Sequence, residues 1–316
     1  MKLSEIAVKL NIKLIGNGNR DITGVTSPQD AEPSKLCVLW EKRIIPELDK
    51  SIAIMTREKY FDDDRDGLAC EAPRLKLAEL LALFTNEVKI TGVDALAFVA
   101  KTARIAPSSH ICAFSYVGEN CEIGENTVIE PNAVILNDVK IGSNCIIHSG
   151  AVIGADGFGF ERTENGIVKI PQIGGVVIGD DVEIGACTTI DRGAMGNTEI
   201  GSGTKLDNHV QIGHNVKVGR SCIICSMSGI AGSSVIEDNV TISVQAGVND
   251  HVRVGAGTII AGRSGVTSDI PAGSVISGFP ARNHNDAKRA LMLNADLPSI
   301  VKRLRKLERK LNETDD

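Results

Sequence analysis

Six histidines stand in a chain of 316 residues, and three of them, His209, His214 and His251, cluster late in it. An imidazole titrates near neutral pH, so it can take a proton from a nucleophile and hand it to a leaving group. The residues around these histidines carry matching chemistry. Asn208 and Gln211 offer amide donors and acceptors, Arg192 offers a permanent cation, and Gly232 offers a backbone N–H with no side chain over it. A base beside a bare amide is what acyl transfer needs, one to deprotonate the nucleophile and the other to hold the developing oxyanion. Whether these residues are neighbours depends on the frame that carries them.

That frame is a six-residue beat. Ile or Val occupies every sixth position from Ile105 to Ile153, resumes at Ile178, Ile184 and Ile190, and runs on from Ile200 through Leu206, Ile212, Val218, Ile224 and Ile230 to Val266. Four residues after most anchors the side chain is small or Val, as at Cys121, Thr127, Ala133, Thr204, Val210, Cys222, Ser228, Ala246 and Thr258. Short fixed-period repeats make solenoids. A six-residue period matches no helical face, but it suits one flat side of a triangular parallel β-helix, with the anchor pointing inward. The anchors predict about eight coils of roughly 18 residues, a mainly β prism about 40 Å tall.

In this frame His214 lies two residues past its anchor Ile212, while His209 and His251 lie three past theirs. None falls in an inward slot. One coil above His214 is Gly232, and one coil below, counted across a four-residue slip between Ile190 and Ile200, is Arg192. Stacked positions are about 5 Å apart. The stacking predicts His214 as general base, Gly232 as oxyanion amide, and Arg192 as a cation that keeps the imidazole neutral. The pair His209 and His214 resembles the paired histidines of γ-class carbonic anhydrases. Their third imidazole is missing, since Ile173 stands two coils upstream and His148 is further back, so no metal is expected.

Composition agrees with a narrow aliphatic core and excludes several classes. Aromatics are 3% of residues, and the net charge of −6 gives no reason to expect nucleic-acid binding. The start Met1-Lys2-Leu3-Ser4-Glu5 has no signal-peptide apolar run, and no stretch is long and apolar enough for a membrane span, so a soluble, cytoplasmic protein without membrane insertion is expected. Three of the eight cysteines (Cys121, Cys145, Cys222) fall on the small-residue beat and read as packing. Cys222 and Cys225 have the spacing of a metal or redox pair, but no second pair follows.

Residues 1–100 lack the beat. They read as a small α/β domain, with helices near Leu3–Leu10 and Leu75–Phe84 and strands near Ile22–Thr26, Leu36–Trp40 and Ser51–Met55. Residues 101–283 are the prism, interrupted by an insertion from Ala155 to Gln172 that is either a plain hairpin or part of a site. Residues 284–316 read as C-terminal helices. Leu297, Ile300, Leu304, Leu307 and Leu311 keep heptad spacing for self-association. The outer face, with Lys302, Arg303, Arg305, Lys306, Arg309 and Lys310, is either a solvated surface or a dock for an acidic partner.

The strings Thr189-Ile190-Asp191-Arg192-Gly193-Ala194 and Leu206-Asp207-Asn208-His209-Val210-Gln211-Ile212-Gly213-His214-Asn215-Val216 resemble the UDP-3-O-(3-hydroxyacyl)glucosamine N-acyltransferases of lipid A biosynthesis. Lys169-Ile170-Pro171-Gln172, Gly229-Ile230-Ala231-Gly232-Ser233 and Gly278-Phe279-Pro280-Ala281 fit as well. The resemblance implies a left-handed β-helix, a homotrimer with sites between subunits, and transfer of a 3-hydroxyacyl chain from acyl carrier protein to the 2-amino group of a UDP-3-O-acyl-glucosamine. No bound cofactor is implied, the carrier-linked acyl group being a co-substrate. His214 matches the family's base, His251 its second histidine and Gly232 its oxyanion amide. Gly265 falls where the family measures acyl length. The family holds uracil with an aromatic, an Asn and an aromatic spaced three apart. Here the aligned residues are Val38, Glu41 and Ile44, which predicts weaker or different nucleotide binding. Two other functions fit the repeat: a hexapeptide acetyl- or acyltransferase acting on another amino sugar, and a non-catalytic trimeric scaffold.

Reversing two charges of the tail, Lys302→Glu with Arg305→Glu, is expected to raise KM for an acylated carrier protein and flatten its salt dependence, as steady-state kinetics at low and high salt would show. An unchanged KM would leave the tail as a self-association device alone.

Overall fold

The computed structural model describes residues 1–61, 64–85, 90–278 and 284–312. The chain divides into two compact units, Met1–Lys89 and Ile90–Asp316. In the first, helix α1 (Leu3–Leu10) buries Leu3, Ile6, Ala7 and Leu10, the one-sided spacing of an amphipathic helix. Helix α2 spans Pro73–Ala82. Five strands form one sheet in the order Lys13–Ile15, Gly67–Ala69, Ala53–Thr56, Lys35–Val38, Gly24–Thr26. The first pair is antiparallel and the others are parallel. The α/β reading therefore holds, with strands shorter than the apolar runs that signalled them.

The second unit is a parallel β-solenoid with three faces of ten, nine and eight strands. Each short strand pairs in parallel with its counterparts above and below, anchor on anchor: Ile123 on Ile141, Ile212 on Ile230, Ile242 on Ile260. The anchors form one continuous buried core. The expected eight coils undercount the prism at both ends. Val93 and Val99 also keep the beat, and their strands Gly92–Val93 and Phe98–Val99 pair with His110–Ile111 and Tyr116–Val117. At the top, Val275–Ile276 pairs with Ile259–Ile260. The solenoid thus begins before the expected boundary at residue 101. Its expected end at 283, and Phe279, Pro280 and Ala281 of the last motif, lie outside the described residues.

The small-residue beat has a hydrogen-bonding reason. The buried Thr204 hydroxyl accepts from Cys222 N–H (3.1 Å) and donates to Gly219 C=O (2.8 Å), stitching one corner to the next. Thr127 does the same with Cys145 N–H (3.1 Å) and Gly142 C=O (2.7 Å). Cys121, Cys145 and Cys222 substitute a thiol for the hydroxyl, donating to the carbonyls of Leu136, Gly179 and Glu237. Burial pushes all three thiols up, so they are packing groups and not nucleophiles. The corner residue just before the small one commonly takes a positive φ, which Asn, Asp and His tolerate best. Asn126, Asn144 and Asn215 occupy it, as do His209 (φ 58°) and His251 (φ 57°).

The insertion is a two-stranded antiparallel hairpin, Phe160–Thr163 against Gly166–Lys169. Arg192 pins its base, donating to Gly154 C=O (2.8 Å) and Asn137 C=O (2.9 Å). The four-residue slip after Ile190 folds onto bare backbone. A Cβ on Gly174 would lie 1.8 Å from the Gly196 carbonyl oxygen, so no side chain fits there. The tail is one helix, α3 (His284–Asn312), with Pro298 inside it, where several helices were expected. Leu297, Ile300, Leu304 and Leu307 are exposed along it, as are Lys302, Arg303, Arg305 and Lys306. The side chains of Arg309, Lys310 and Leu311 lie outside the described residues.

His148 spans the interruption that the hairpin makes. Its Nδ1 lies 3.1 Å from Glu130 on the coil below and its Nε2 3.1 Å from Glu183 on the coil above. Burial alone would lower this imidazole, but the hydrogen bonds and charges of the two carboxylates outweigh it and raise it above its usual value. A raised folded-state value means the clamp stabilises fully below the unfolded pKa, and that stability is lost as pH rises through the folded one. The melting temperature is expected to fall between about pH 6 and pH 8 by an amount that His148→Gln removes. Parallel pH curves for the two proteins would show that the clamp contributes nothing.

Candidate active site

The strand Gln211–Ile212 points Ile212 into the core, which turns Gln211 outward and, past the buried Gly213, leaves His214 partly exposed. Because Gln211 pairs with Gly229 and Ile212 with Ile230, residue 232 stacks on residue 214. Ser233 N–H closes that stack on His214 C=O at 2.8 Å. The contact is intimate: a Cβ on Gly232 would lie 2.6 Å from His214 Nε2. Gly157 of the insertion covers the other side, where a Cβ would lie 2.4 Å from His214 Cβ. The imidazole is thus held between two glycines, one from the next coil and one from the hairpin.

Asn215 orients the ring. Its Oδ1 lies 3.2 Å from His214 Nδ1 and also accepts from Ala194 N–H at 2.9 Å. With Nδ1–H donating to that oxygen, Nε2 carries the lone pair and faces Gly232. Among the described residues no acceptor takes the Gly232 N–H. A basic nitrogen and a free amide therefore share one end of a groove of about 790 Å³. Asp156, Phe158, Phe160 and Lys169 of the insertion form one wall, while Gln211, His214, Gly232 and His251 form the other. The insertion is both a hairpin and a wall of the site.

The expected residues divide. His214, Gly232, Gln211 and His251 meet in the groove. Gly265 lies on the same face above them, in a column where Gln211, Gly229, Gly247 and Gly265 pair in turn. A Cβ at any of these three glycines would meet only open space. Arg192 departs from expectation. Its backbone lies at the counted position, but its guanidinium turns down to Gly154 and Asn137, where those carbonyls can satisfy it, so it serves the hairpin and not the imidazole. Asn208 lies on another corner, where its Oδ1 accepts from Ala186 N–H (2.7 Å) and it lines a separate hollow with His148 and Lys205. His209 fills the positive-φ corner before the site strand and does not line the groove. Among the described residues no group of His, Cys, Asp or Glu is arranged to hold a metal ion.

Glu41 belongs to the N-terminal unit, just before the 3-10 helix Lys42–Glu47. Its expected companions are not open surfaces. Val38 is 4% exposed within the sheet core, and Ile44 packs on the cluster of Cys37, Leu39 and Ile54. Trp40 is the exposed aromatic there, at 48%. Two residues bonded to groove side chains were not singled out from the sequence. Asn215 looks like any corner Asn. Asp191 follows the anchor Ile190, and its carboxylate accepts from Gln211 Nε2 at 3.0 Å. Burial raises Asp191 above the usual carboxylate range, and the Gln211 hydrogen bond and the His214 charge offset part of that rise.

The bacterial transferase hexapeptide family (six repeats) matches residues 120–155 and 197–232. A UDP-3-O-acylglucosamine N-acyltransferase of Gloeobacter violaceus is 36% identical over 96% of this chain and 93% of that protein. Its namesake in Coxiella burnetii is 35% identical over 97% of each. The chain belongs to the UDP-3-O-acylglucosamine N-acyltransferase family. A further family protein, from Methylorubrum populi, is 54% identical over 147 residues, and there the match spans only 42% of that protein's length. Among solved structures, the UDP-N-acetylglucosamine acyltransferase of Francisella novicida aligns with a TM-score of 0.55 at 30% identity, over 63% of this chain and 73% of that one. The UDP-N-acetylglucosamine O-acyltransferase of Moraxella catarrhalis gives 0.55 at 30%, over 63% and 77%.

Gly232→Ala tests the contact on which the family's chemistry would rest here. The new methyl would meet the end of a side chain and not backbone, so the ring gives way while the coil survives. Acyl-transfer turnover is expected to fall by about 10²-fold with the melting temperature unchanged. Wild-type turnover in this variant would mean that the imidazole and the amide do not act together.

Proposed function

We propose that this chain transfers a 3-hydroxyacyl group from the thioester of acyl carrier protein to the 2-amino group of a UDP-linked, 3-O-acylated glucosamine. The observation that carries this reading is the His214 imidazole seated on the bare backbone of Gly232. His214 Nε2 takes a proton from the amine as nitrogen attacks the thioester carbon, and the same proton then goes to the departing thiolate. The Gly232 N–H donates to the carbonyl oxygen while it carries negative charge. His251, at the rim of the same groove, supplies a second imidazole for the sugar or the acyl hydroxyl.

The acyl chain runs up the glycine column from Gly229 to Gly265, where no side chain stands in its way. Each buried methylene contributes about 0.8 kcal/mol, so a clear column favours a long chain. The exposed heptad stripe of α3 supports assembly with two further copies as a homotrimer, and its basic face supports docking of the acidic carrier protein. Asn208, away from the groove in one subunit, meets substrate in this reading through a neighbouring copy.

The test uses purified protein with 3-hydroxyacyl carrier protein and UDP-3-O-acyl-glucosamine, followed by mass detection of the amide and of free carrier thiol. Product should form, and His214→Ala should lower kcat by about 10²–10⁴-fold. Gly265→Met should shift preference to shorter donors. Absence of product here, with product from acetyl-CoA and another amino sugar, would overturn the reading.

A further inference from the structure

The groove holds three carboxylates besides its histidines, and they are not equivalent. Asp156 forms an ion pair with Lys169 and lies 4.0 Å from Arg192. Asp250 is exposed at the rim. Asp191 is half-buried, one coil below Gly213 at the foot of His214. Its Oδ2 accepts from Gln211 Nε2 at 3.0 Å, and among the described residues no lysine or arginine pairs with it. Gln211 is itself held, its Oε1 accepting from the Thr189 hydroxyl and its Nε2 also donating to Ile212 C=O at 3.1 Å. So the protein fixes a carboxylate in a partly desolvated place and provides no permanent cation for it among the described residues, an arrangement that costs stability unless something else supplies the charge. Orienting the base does not explain it, because His214 Nδ1 is already engaged by Asn215.

We infer that Asp191 is the anchor for the acceptor's ammonium, binding the protonated 2-amino group beside His214 before transfer. This rests on the N-acyltransferase reading and adds the step by which the amine is recognised. An amine next to electronegative carbons titrates near the α-amino range, about 8, so it arrives largely as R–NH₃⁺ at neutral pH. The Asp191 carboxylate pairs with that charge and leaves the remaining N–H groups toward His214. The ammonium gives one proton to solvent through the open groove. The neutral nitrogen then attacks the thioester carbon, the new C–N bond forms as C–S breaks, and His214 carries the second proton to the thiolate. The products are the amide, the free thiol and one released proton. A hydroxyl at the same carbon would bring no charge for Asp191 to meet, so the carboxylate discriminates amine from hydroxyl acceptors.

The experiment is calorimetric titration of the full chain with UDP-glucosamine, UDP-glucose and UDP, for wild type, Asp191→Asn and Asp191→Glu. Asparagine keeps an oxygen for Gln211 and removes only the charge. At about pH 6.5 the wild type should bind UDP-glucosamine about tenfold more tightly than UDP-glucose, as expected for one charge-assisted hydrogen bond. That preference should fade as pH rises past about 8. Asp191→Asn should lose the preference with UDP and UDP-glucose affinity unchanged, and Asp191→Glu should retain part of it. Equal binding of amine and hydroxyl sugars by wild type, or an undiminished preference in Asp191→Asn, overturns the proposal. Transfer activity separates the two readings. If product forms but Asp191→Asn leaves KM for the acceptor unchanged, the anchor fails and the activity stands. If the amine preference depends on Asp191 but no donor yields product, the anchor stands and the assigned reaction fails.

Discussion

Ile190, Ile212 and Ile230 stack one above another inside the prism, and the backbone hydrogen bonds between their strands leave no freedom of register. A slip by one residue would turn every buried aliphatic outward. Everything on the surface inherits its position from this constraint. His214 meets Gly232, Gln211 meets Gly229, and the glycine column rises above them because the anchors beneath cannot move. A catalytic contact set by core packing needs few dedicated bonds of its own. The ring of His214 has Asn215 and two glycine surfaces, and these suffice because the coils behind them are rigid.

The departures from the beat are as informative as the beat itself. The insertion after Ile153 and the slip after Ile190 fall on consecutive coils of the site face. One supplies a wall of the groove, with Gly157 pressed on His214 and Phe158 and Phe160 beside it. The other brings Ala194 N–H to Asn215, the residue that orients the base. A perfectly regular solenoid would present the same histidine on a flat surface, open to water and without a pocket. Arg192 links the two departures. The cation that the linear count placed next to the base is used to tie the hairpin down.

The charge distribution in the groove follows from the same division. Lys169 and Arg192 satisfy Asp156, whereas Asp191 keeps its charge without a cationic side chain. The protein spends its positive charges on holding the wall and leaves the carboxylate nearest the base for something that arrives from outside. The buried corner thiols and hydroxyls, by contrast, are fully occupied in stitching coils together and take no part in the chemistry.

The solenoid, its three faces and the pairing of His214 with Gly232 were legible from the sequence, because a strict short period maps linear position onto space without any long-range information. The same counting excluded a core role for the histidines, while Gly265 above the site came from the family resemblance. It undercounted the coils, since Val93 and Val99 lie where the beat fades into the preceding domain. It also placed Arg192 by its backbone alone. The period fixes Cα positions but says nothing about where a long, flexible side chain finds its partners. The carbonyls of Gly154 and Asn137 that capture Arg192 become neighbours only when the chain is folded. Asn208 shows a related limit: short motifs place residues next to each other in sequence, while corner geometry decides which groove each one faces within a subunit. What only the tertiary structure decided was therefore the environment of each side chain, including the partly desolvated carboxylate of Asp191, because desolvation depends on what packs around a group and not on its place in a repeat.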